Sequence, residues 1–231
     1  MVNTIDSRVR TSVWADGLGQ SSSSRRVSAS RRPSPSSSEI KRAIDIFVAA
    51  AALLFLLPLL LLLGALIRFE SQGPALFRQR RTGLNGSVFT IYKLRSMRVQ
   101  EDGPAIRHAT KDDLRVTRVG AFLRKSSLDE LPQLINVLKG DMSIVGPRPH
   151  ALSHDEHYGG LIEAYNGRFR AKPGLTGLAQ VVGLRGEVHT IEHMMRRVDA
   201  DNAYIDSWSL KMDLSILLKT IPLIVSDPRA Y

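Results

Sequence analysis

Across residues 46–67 the chain reads IFVAAAALLFLLPLLLLLGALI, with no charged side chain. Wound as one helix the stretch rises about 33 Å at ~1.5 Å per residue, enough to cross a hydrocarbon core about 30 Å thick. It begins too far from the N-terminus, and lacks a small-residue cleavage site, to be a cleaved signal peptide. Pro58 lies near its middle, where the missing N–H and the crowding ring predict a kink. Basic residues stand on both flanks, Lys41 and Arg42 before it and Arg68, Arg78, Arg80 and Arg81 after, so flanking charge discriminates weakly between sides. The pattern therefore leaves open a kinked span and a bent helix that enters and leaves by one face. Asp45, in the apolar margin, needs a partner, and Lys41 or Arg42 at i−4 and i−3 are the expected ones.

Downstream the period changes. Residues 75–81 and 87–95 flank Asn85-Gly86, a strong hairpin-turn dipeptide, and read as two strands. On the second, Phe89, Ile91, Lys93 and Arg95 share a face while Val88, Tyr92 and Leu94 take the other. Lys93 and Arg95 have two readings, solvated strand cations or groups that reach a phosphate or the lipid surface. Residues 99–113 are polar, contain Gly103-Pro104 and read as a mobile loop. Leu131, Leu134, Ile135 and Leu138 then fall at i, i+3, i+4 and i+7, which predicts an amphipathic helix from Asp129-Glu130 to a stop at Gly140. Ser127-x-x-Glu130 matches a capping box, although Pro132 in the first turn moves the cap toward Leu128 or Asp129. A short apolar run at 142–145 and a strand at 178–182 follow. An amphipathic helix over 190–208 carries Ile191, Met194, Met195, Val198 and Ile205 on one broad face, and a more apolar helix covers 210–225. Both suit either a core or the membrane interface.

Composition sharpens this. A chain of 231 residues with 43% hydrophobic content supports one catalytic domain plus accessories. Residues 1–39, rich in Ser and Arg, have no sustained periodicity and are expected to be disordered. The net charge is +10, and half of that excess sits in the first 42 residues, where eight Lys/Arg face Asp6, Asp16 and Glu39. Such charge suits nucleic acid, anionic lipid or phosphorylated substrates. No recognition-helix, RNP-like or zinc-finger pattern is present, so nucleic acid is not expected. The absence of cysteine excludes disulfides, thiol nucleophiles and thiolate metal sites.

Candidate chemistry gathers in RKSSLDELPQLINVLKGDMSIVGPRP, from Arg124 onward. Asp129 and Glu130 are either two anions complementing a helix dipole, or adjacent carboxylates that hold a divalent cation and attack an anionic phosphorus. Arg148 stands between Pro147 and Pro149, a stiff mount for a guanidinium fork that suits a diphosphate, or else a surface turn. His150, His154 and His157 fall at i, i+4 and i+7 but lack an evident fourth ligand, so an ordinary helix is preferred to zinc.

An ordered series of motifs, KRAID, YKLRSM, RVTRVGAFLRKSSLDELPQ, VGPRPHA and KPGLTGLAQV, resembles the bacterial sugar transferases, the monotopic phosphoglycosyl transferases. The similarity runs over residues 41–231. It implies an α/β (α+β), membrane-associated fold: a disordered tail (1–39), a re-entrant membrane helix broken at Pro58 (40–68) and a cytosolic catalytic domain with a small hairpin and amphipathic helices (69–231). It further implies that sugar-1-phosphate passes from a UDP-sugar to undecaprenyl phosphate through a phospho-aspartate on Asp129, with release of UMP. Glu130, with Asp129, would hold Mg²⁺, Arg124 would meet the lipid phosphate, and Arg148 the nucleotide diphosphate or uridine. Lys172 and Arg185 match the segment lining the nucleotide-sugar site, and Asp201 matches a carboxylate common in the family. Leu178, Leu184 and Val182 depart from the usual aromatic, aromatic and Asn, which puts ring stacking there in doubt. Similarity of VGPRPHA and VGLRGE to the glucose-1-phosphate transferases that start exopolysaccharides favours glucose over galactose. The implied setting is the cytoplasmic face of a bacterial inner membrane, with membrane lipid as partner and room for a homodimer. A non-catalytic, basic, membrane-tethered adaptor is the rival reading.

Overall fold

A computed structural model describes residues 34–98, 113–186, 188 and 190–226. Most of the basic tail and the loop expected at 99–113 lie outside these residues. The first element, α1 (Glu39–Glu70), opens where the Ser38 hydroxyl accepts from the Lys41 amide. It is long and apolar enough to cross a membrane, and helix continues through Pro58. Lys41, Asp45, Ala49, Leu63 and Ile67 recur at helical spacing along one buried stripe. The opposite face leaves Phe47, Leu54, Phe55, Leu61 and Phe69 exposed, Phe69 by 89%.

Polar bonds tie both ends of α1 to the rest of the chain. Near its start, Lys41 Nζ meets Asp213 at 2.7 Å and Arg42 donates to the carbonyls of Val137 and Leu138 at 2.6 and 3.0 Å. Asp45 accepts from the Ser143 hydroxyl at 2.7 Å and the Ile144 amide at 3.1 Å. The expected pairing of Asp45 with Lys41 or Arg42 is thus corrected, because each neighbour has its own distant partner. At the other end, Arg95 donates to the carbonyls of Ser71 and Gln72 at 2.7 and 2.6 Å, and Glu70 caps the amides of Arg118 and Val119. Arg95 is buried by these bonds, so it is a clamp on the helix end and not a phosphate ligand.

Strands β1 (Leu76–Thr82) and β2 (Val88–Leu94) form the anticipated antiparallel hairpin, with Leu76 opposite Leu94 and Thr82 opposite Val88. Asn85 and Gly86 turn it with φ of 54° and 79°. Next come α2 (Arg118–Lys125), a 3₁₀ turn (Leu128–Glu130) and α3 (Gln133–Lys139). The helix expected to start at Asp129 is therefore divided. Pro132 has no N–H to continue the turn, and it serves as the N-cap of α3. No capping box forms, since Ser127 makes no side-chain cap bond. The inward face of α3 is Gln133, Leu134, Asn136 and Val137, leaving Ile135 and Leu138 partly exposed. Asn136 draws that face inward by accepting from the Tyr92 amide at 3.0 Å and donating to the Thr90 carbonyl at 2.7 Å.

Strand β3 (Ser143–Val145) pairs in parallel with β4 (Gly174–Thr176), and α4 (Leu152–Leu161) with a 3₁₀ stretch (Glu163–Arg170) connects them. The strand expected at 178–182 is instead a short helix, α5 (Leu178–Val181), in which the Gly177 carbonyl accepts from the amides of Gln180 and Val181. The paired strand ends at Thr176, just before that helix. Two helices, α6 (Ile191–Ser207) and α7 (Leu210–Ser226), finish the described chain. On α6 the buried positions are Met194, Val198, Asp201, Tyr204 and Ile205, whereas Ile191 and Met195 are exposed. The main core joins Ala49 of α1 to Leu134, Val137, Val145, Tyr204 and Ile216, which fixes helix, sheet and C-terminal helices to one another. Mixed helices with two small sheets and one long apolar helix fulfil the expected fold class.

Candidate active site

The turn that carries the two carboxylates leaves α2 through Ser127, whose φ of 57° lies in the left-handed region, at roughly 1–2 kcal/mol for a residue with a Cβ. Arg185 holds that residue by donating to its hydroxyl at 2.7 Å. Leu128 then packs against the cluster formed by Leu63 and Ile67 of α1 with Leu94 and Leu123. Asp129, the next residue along this turn, is buried.

The two carboxylates have different surroundings. Glu130 is forked by Arg148, with one bond of 3.0 Å to Oε2 and a second to Oε1, and Lys93 reaches Oε1 at 2.8 Å. Burial pushes its pKa upward, but Arg148 and Lys93 outweigh that and hold it well below the ordinary carboxylate range. Among the described residues no side chain donates a hydrogen bond to Asp129. Burial raises its pKa from 3.8 to about 6, helped by the charge on Glu130 and opposed by Lys93, Arg124 and Arg148. One member is thus a fixed anion that orients cations. Its neighbour is an oxygen base without a side-chain donor among the described residues, ionised at neutral pH and within the field of the same cations.

Arg148 is held from behind. Arg168, itself 3% exposed, donates to the Arg148 carbonyl at 2.6 Å and to Asp201 at 2.7 Å. The flanking backbone is locked by the small sheet, with Gly146 N–H to the Thr176 carbonyl and Gly174 N–H to the Pro147 carbonyl, each at 2.9 Å. A Cβ on Gly174 would lie 2.1 Å from the Gly146 nitrogen, so this crossing admits no side chain there. His150 accepts or donates to the Tyr165 hydroxyl at 2.7 Å, and burial together with Arg168 holds its ring neutral well below its usual range. Its use in this network, with Tyr165 donating to Asp155 at 2.7 Å, accounts for the histidine without zinc.

The expected residues thus sort by place. Asp129, Glu130 and Arg148 come together, Arg124 adds its field to Asp129, and Arg185 touches the turn at Ser127. Asp201 reaches the site only through Arg168. Lys172 is elsewhere, beside Arg42 and Asp45 at the start of α1, its backbone amide donating to the Ser36 hydroxyl at 3.1 Å. Two contributors had little signal in the sequence. Lys93 shares its strand face with core residue Ile91, and Arg168 looks like any surface cation until its burial is seen. Arg81, Lys93, Gln133, Arg148 and Arg197 also line a cavity of about 180 Å³ between the hairpin, α4 and α6.

Among the described residues no group of three or more Asp, Glu or His could hold a metal by itself. Mg²⁺ needs less, one or two carboxylates with the rest of its shell from water and substrate phosphate. The unbonded, buried Asp129 and the remaining lone pairs of Glu130 fit that donor set.

Adjacent carboxylates ringed by cations, on a turn packed against an apolar helix, form a charge arrangement suited to a phosphorylated group. The bacterial sugar transferase family model matches residues 36–227, and the chain belongs to that family. A UDP-glucose:undecaprenyl-phosphate glucose-1-phosphate transferase of Caulobacter vibrioides is 54% identical over 191 residues, covering 83% of this chain and 72% of that protein. A protein of Escherichia coli bearing the same description is 50% identical over 182 residues, covering 79% of this chain but 39% of its own length. A UDP-N-acetylgalactosamine-undecaprenyl-phosphate N-acetylgalactosaminephosphotransferase of Aeromonas hydrophila is 41% identical over 194 residues, with 84% and 45% covered.

Proposed function

We propose that this protein moves glucose-1-phosphate from UDP-glucose to undecaprenyl phosphate, at the cytoplasmic face of the bacterial inner membrane, as the first step of an exopolysaccharide repeat unit. The names of the relatives at 54% and 50% identity support the substrates. The division of labour between Asp129 and Glu130 is the observation that carries the chemistry. An Asp129 oxygen bonds to the β-phosphorus of the nucleotide sugar as the bond from that phosphorus to the bridging oxygen breaks, its electron pair leaving with UMP. A phosphate oxygen of undecaprenyl phosphate then bonds to the same phosphorus, and the Asp129 oxygen departs with its pair. Both steps bring an anion onto an anionic centre, so Arg124, Lys93 and Arg148 must supply positive charge before either begins. Glu130 keeps Lys93 and Arg148 aimed there without competing as nucleophile. Mg²⁺, held by Asp129 and Glu130, would add charge neutralisation at the phosphate oxygens.

Re-entry of α1 is part of this proposal, and its two anchored ends support it. A spanning helix would place Lys41 and Glu70 across the bilayer from one another, yet both bond to the same catalytic unit. Carrying those polar partners through hydrocarbon would cost several kcal/mol per unsatisfied group. The packing of Leu128 against Leu63 and Ile67 of α1 supports an Asp129 close to the lipid, within reach of a membrane-borne acceptor.

The test mixes purified protein with radiolabelled UDP-glucose and Mg²⁺ but no lipid acceptor. Label that stays on the protein through denaturation, and is lost in Asp129→Asn, is the expected result. Full turnover with acceptor but no retained label under rapid quench would instead establish a single displacement. Retention from UDP-galactose in preference to UDP-glucose would reassign the sugar.

A further inference from the structure

Gln133 opens α3, three residues after Glu130, and is 1% exposed. Its amide nitrogen is buried with no hydrogen-bond partner among the described residues. A buried amide donor left without a hydrogen bond destabilises the fold, so a stable core position would favour an apolar residue of similar size. Gln133 instead forms part of the wall of the 180 Å³ cavity, beside Lys93 and Arg148, the two cations that bond Glu130. Pockets that take a drug-sized ligand whole run from about 300 to 1,000 Å³, so this cavity accepts one portion of a nucleotide sugar. We propose that Gln133 is a specificity-determining residue, whose unmade amide bond is completed by a hydroxyl of the hexose on the donor substrate.

The position favours the sugar over the base. In a nucleotide sugar the hexose joins the transferred phosphorus through a single oxygen, whereas the base lies beyond a second phosphate and a ribose. Gln133 shares its wall with the cations at the reacting end, and so faces what that phosphorus carries. A carboxamide is neutral and offers both a donor and an acceptor, which matches hydroxyls, while the phosphoryl oxygens fall to Lys93 and Arg148. A site that hydrogen-bonds a substrate hydroxyl discriminates strongly, because the wrong isomer leaves the buried group unpaired.

This inference rests on the proposed reaction, and the experiment separates the two. UMP release would be measured with undecaprenyl phosphate and either UDP-glucose or UDP-galactose, for wild type, Gln133→Met and Gln133→Asn, together with inhibition by UMP alone. The expected outcome is a roughly 10- to 100-fold loss of kcat/KM on the preferred hexose in Gln133→Met. The ratio between the hexoses should move toward one in both variants, and UMP inhibition should stay within about twofold of wild type. An unchanged ratio in both variants overturns the inference. So does a fall in UMP affinity that matches the loss in kcat/KM, since the contact would then be to base or phosphate. No UMP release by wild type from either nucleotide sugar would overturn the reaction itself.

Discussion

Replacing Asp129 with Asn should stabilise the protein while abolishing turnover. The carboxyl is displaced from 3.8 to about 6, burial being the leading cause. At about 1.4 kcal/mol per pH unit, that displacement corresponds to roughly 3 kcal/mol by which an ionised Asp129 weakens the fold. The folded pKa lies above the unfolded one, so the penalty is absent below the unfolded value, builds as pH rises between the two, and is complete above about 6. An amide of the same shape carries no such penalty. For a domain of this size each kcal/mol moves the melting temperature by about 2–4 °C, which predicts a rise of roughly 6–12 °C at pH 7.5. Thermal unfolding of both proteins in the same detergent, followed by circular dichroism from pH 5 to 8, measures it. The gain at pH 5 should be about half of that at pH 7.5. A variant equal to or below wild type in stability, or a gain independent of pH, would refute the reasoning that a desolvated anion is stored at this position.

Four further outcomes follow from the structure. If Asp129 is the nucleophile as proposed, it attacks only when ionised, and log kcat/KM for UMP release should fall by about one per pH unit below pH 6. In Glu130→Gln the residual activity should show that limb at lower pH, since the Glu130 charge raises Asp129. If Asp201 acts only by holding Arg168 on the Arg148 carbonyl, Asp201→Asn should reduce kcat/KM in wild type yet change it little in an Arg148→Ala background. Equal losses in both backgrounds would mark Asp201 as structural. Lys41→Met removes the partner of a buried Asp213 and should lower stability by about 3–5 kcal/mol, partly restored by adding Asp213→Asn, as read from melting temperature.

What the sequence revealed depended on how local each cause is. The hairpin around Asn85-Gly86 was legible almost to the residue, because a turn dipeptide and alternating side chains act over a few positions. The capping box that the spacing of Ser127 and Glu130 predicts does not form, for the complementary reason. Spacing alone suggested a local bond, yet the carboxylate is claimed by Lys93 and Arg148, 37 and 18 residues away. Asp45 shows the same limit, its need for a partner being evident while Ser143 stands 98 residues on. Asp129 and Glu130 were visible as a pair, but their opposite electrostatic fates come entirely from tertiary neighbours. Arg168 gave no sign of its burial, since its flanking sequence is polar and carries no helical stripe.

Fastening the apolar helix at both of its extremities also sets how deep the enzyme floats. Tilting to suit a thicker or thinner leaflet would pull Lys41 from Asp213 at one end or Arg95 from Ser71 at the other. In the proposed membrane setting, adjustment would be left to the surrounding lipids, which would thin or swell around a rigid keel. Asp129 would then keep a constant draught, and an acceptor head group diffusing in the leaflet would meet it always at the same height.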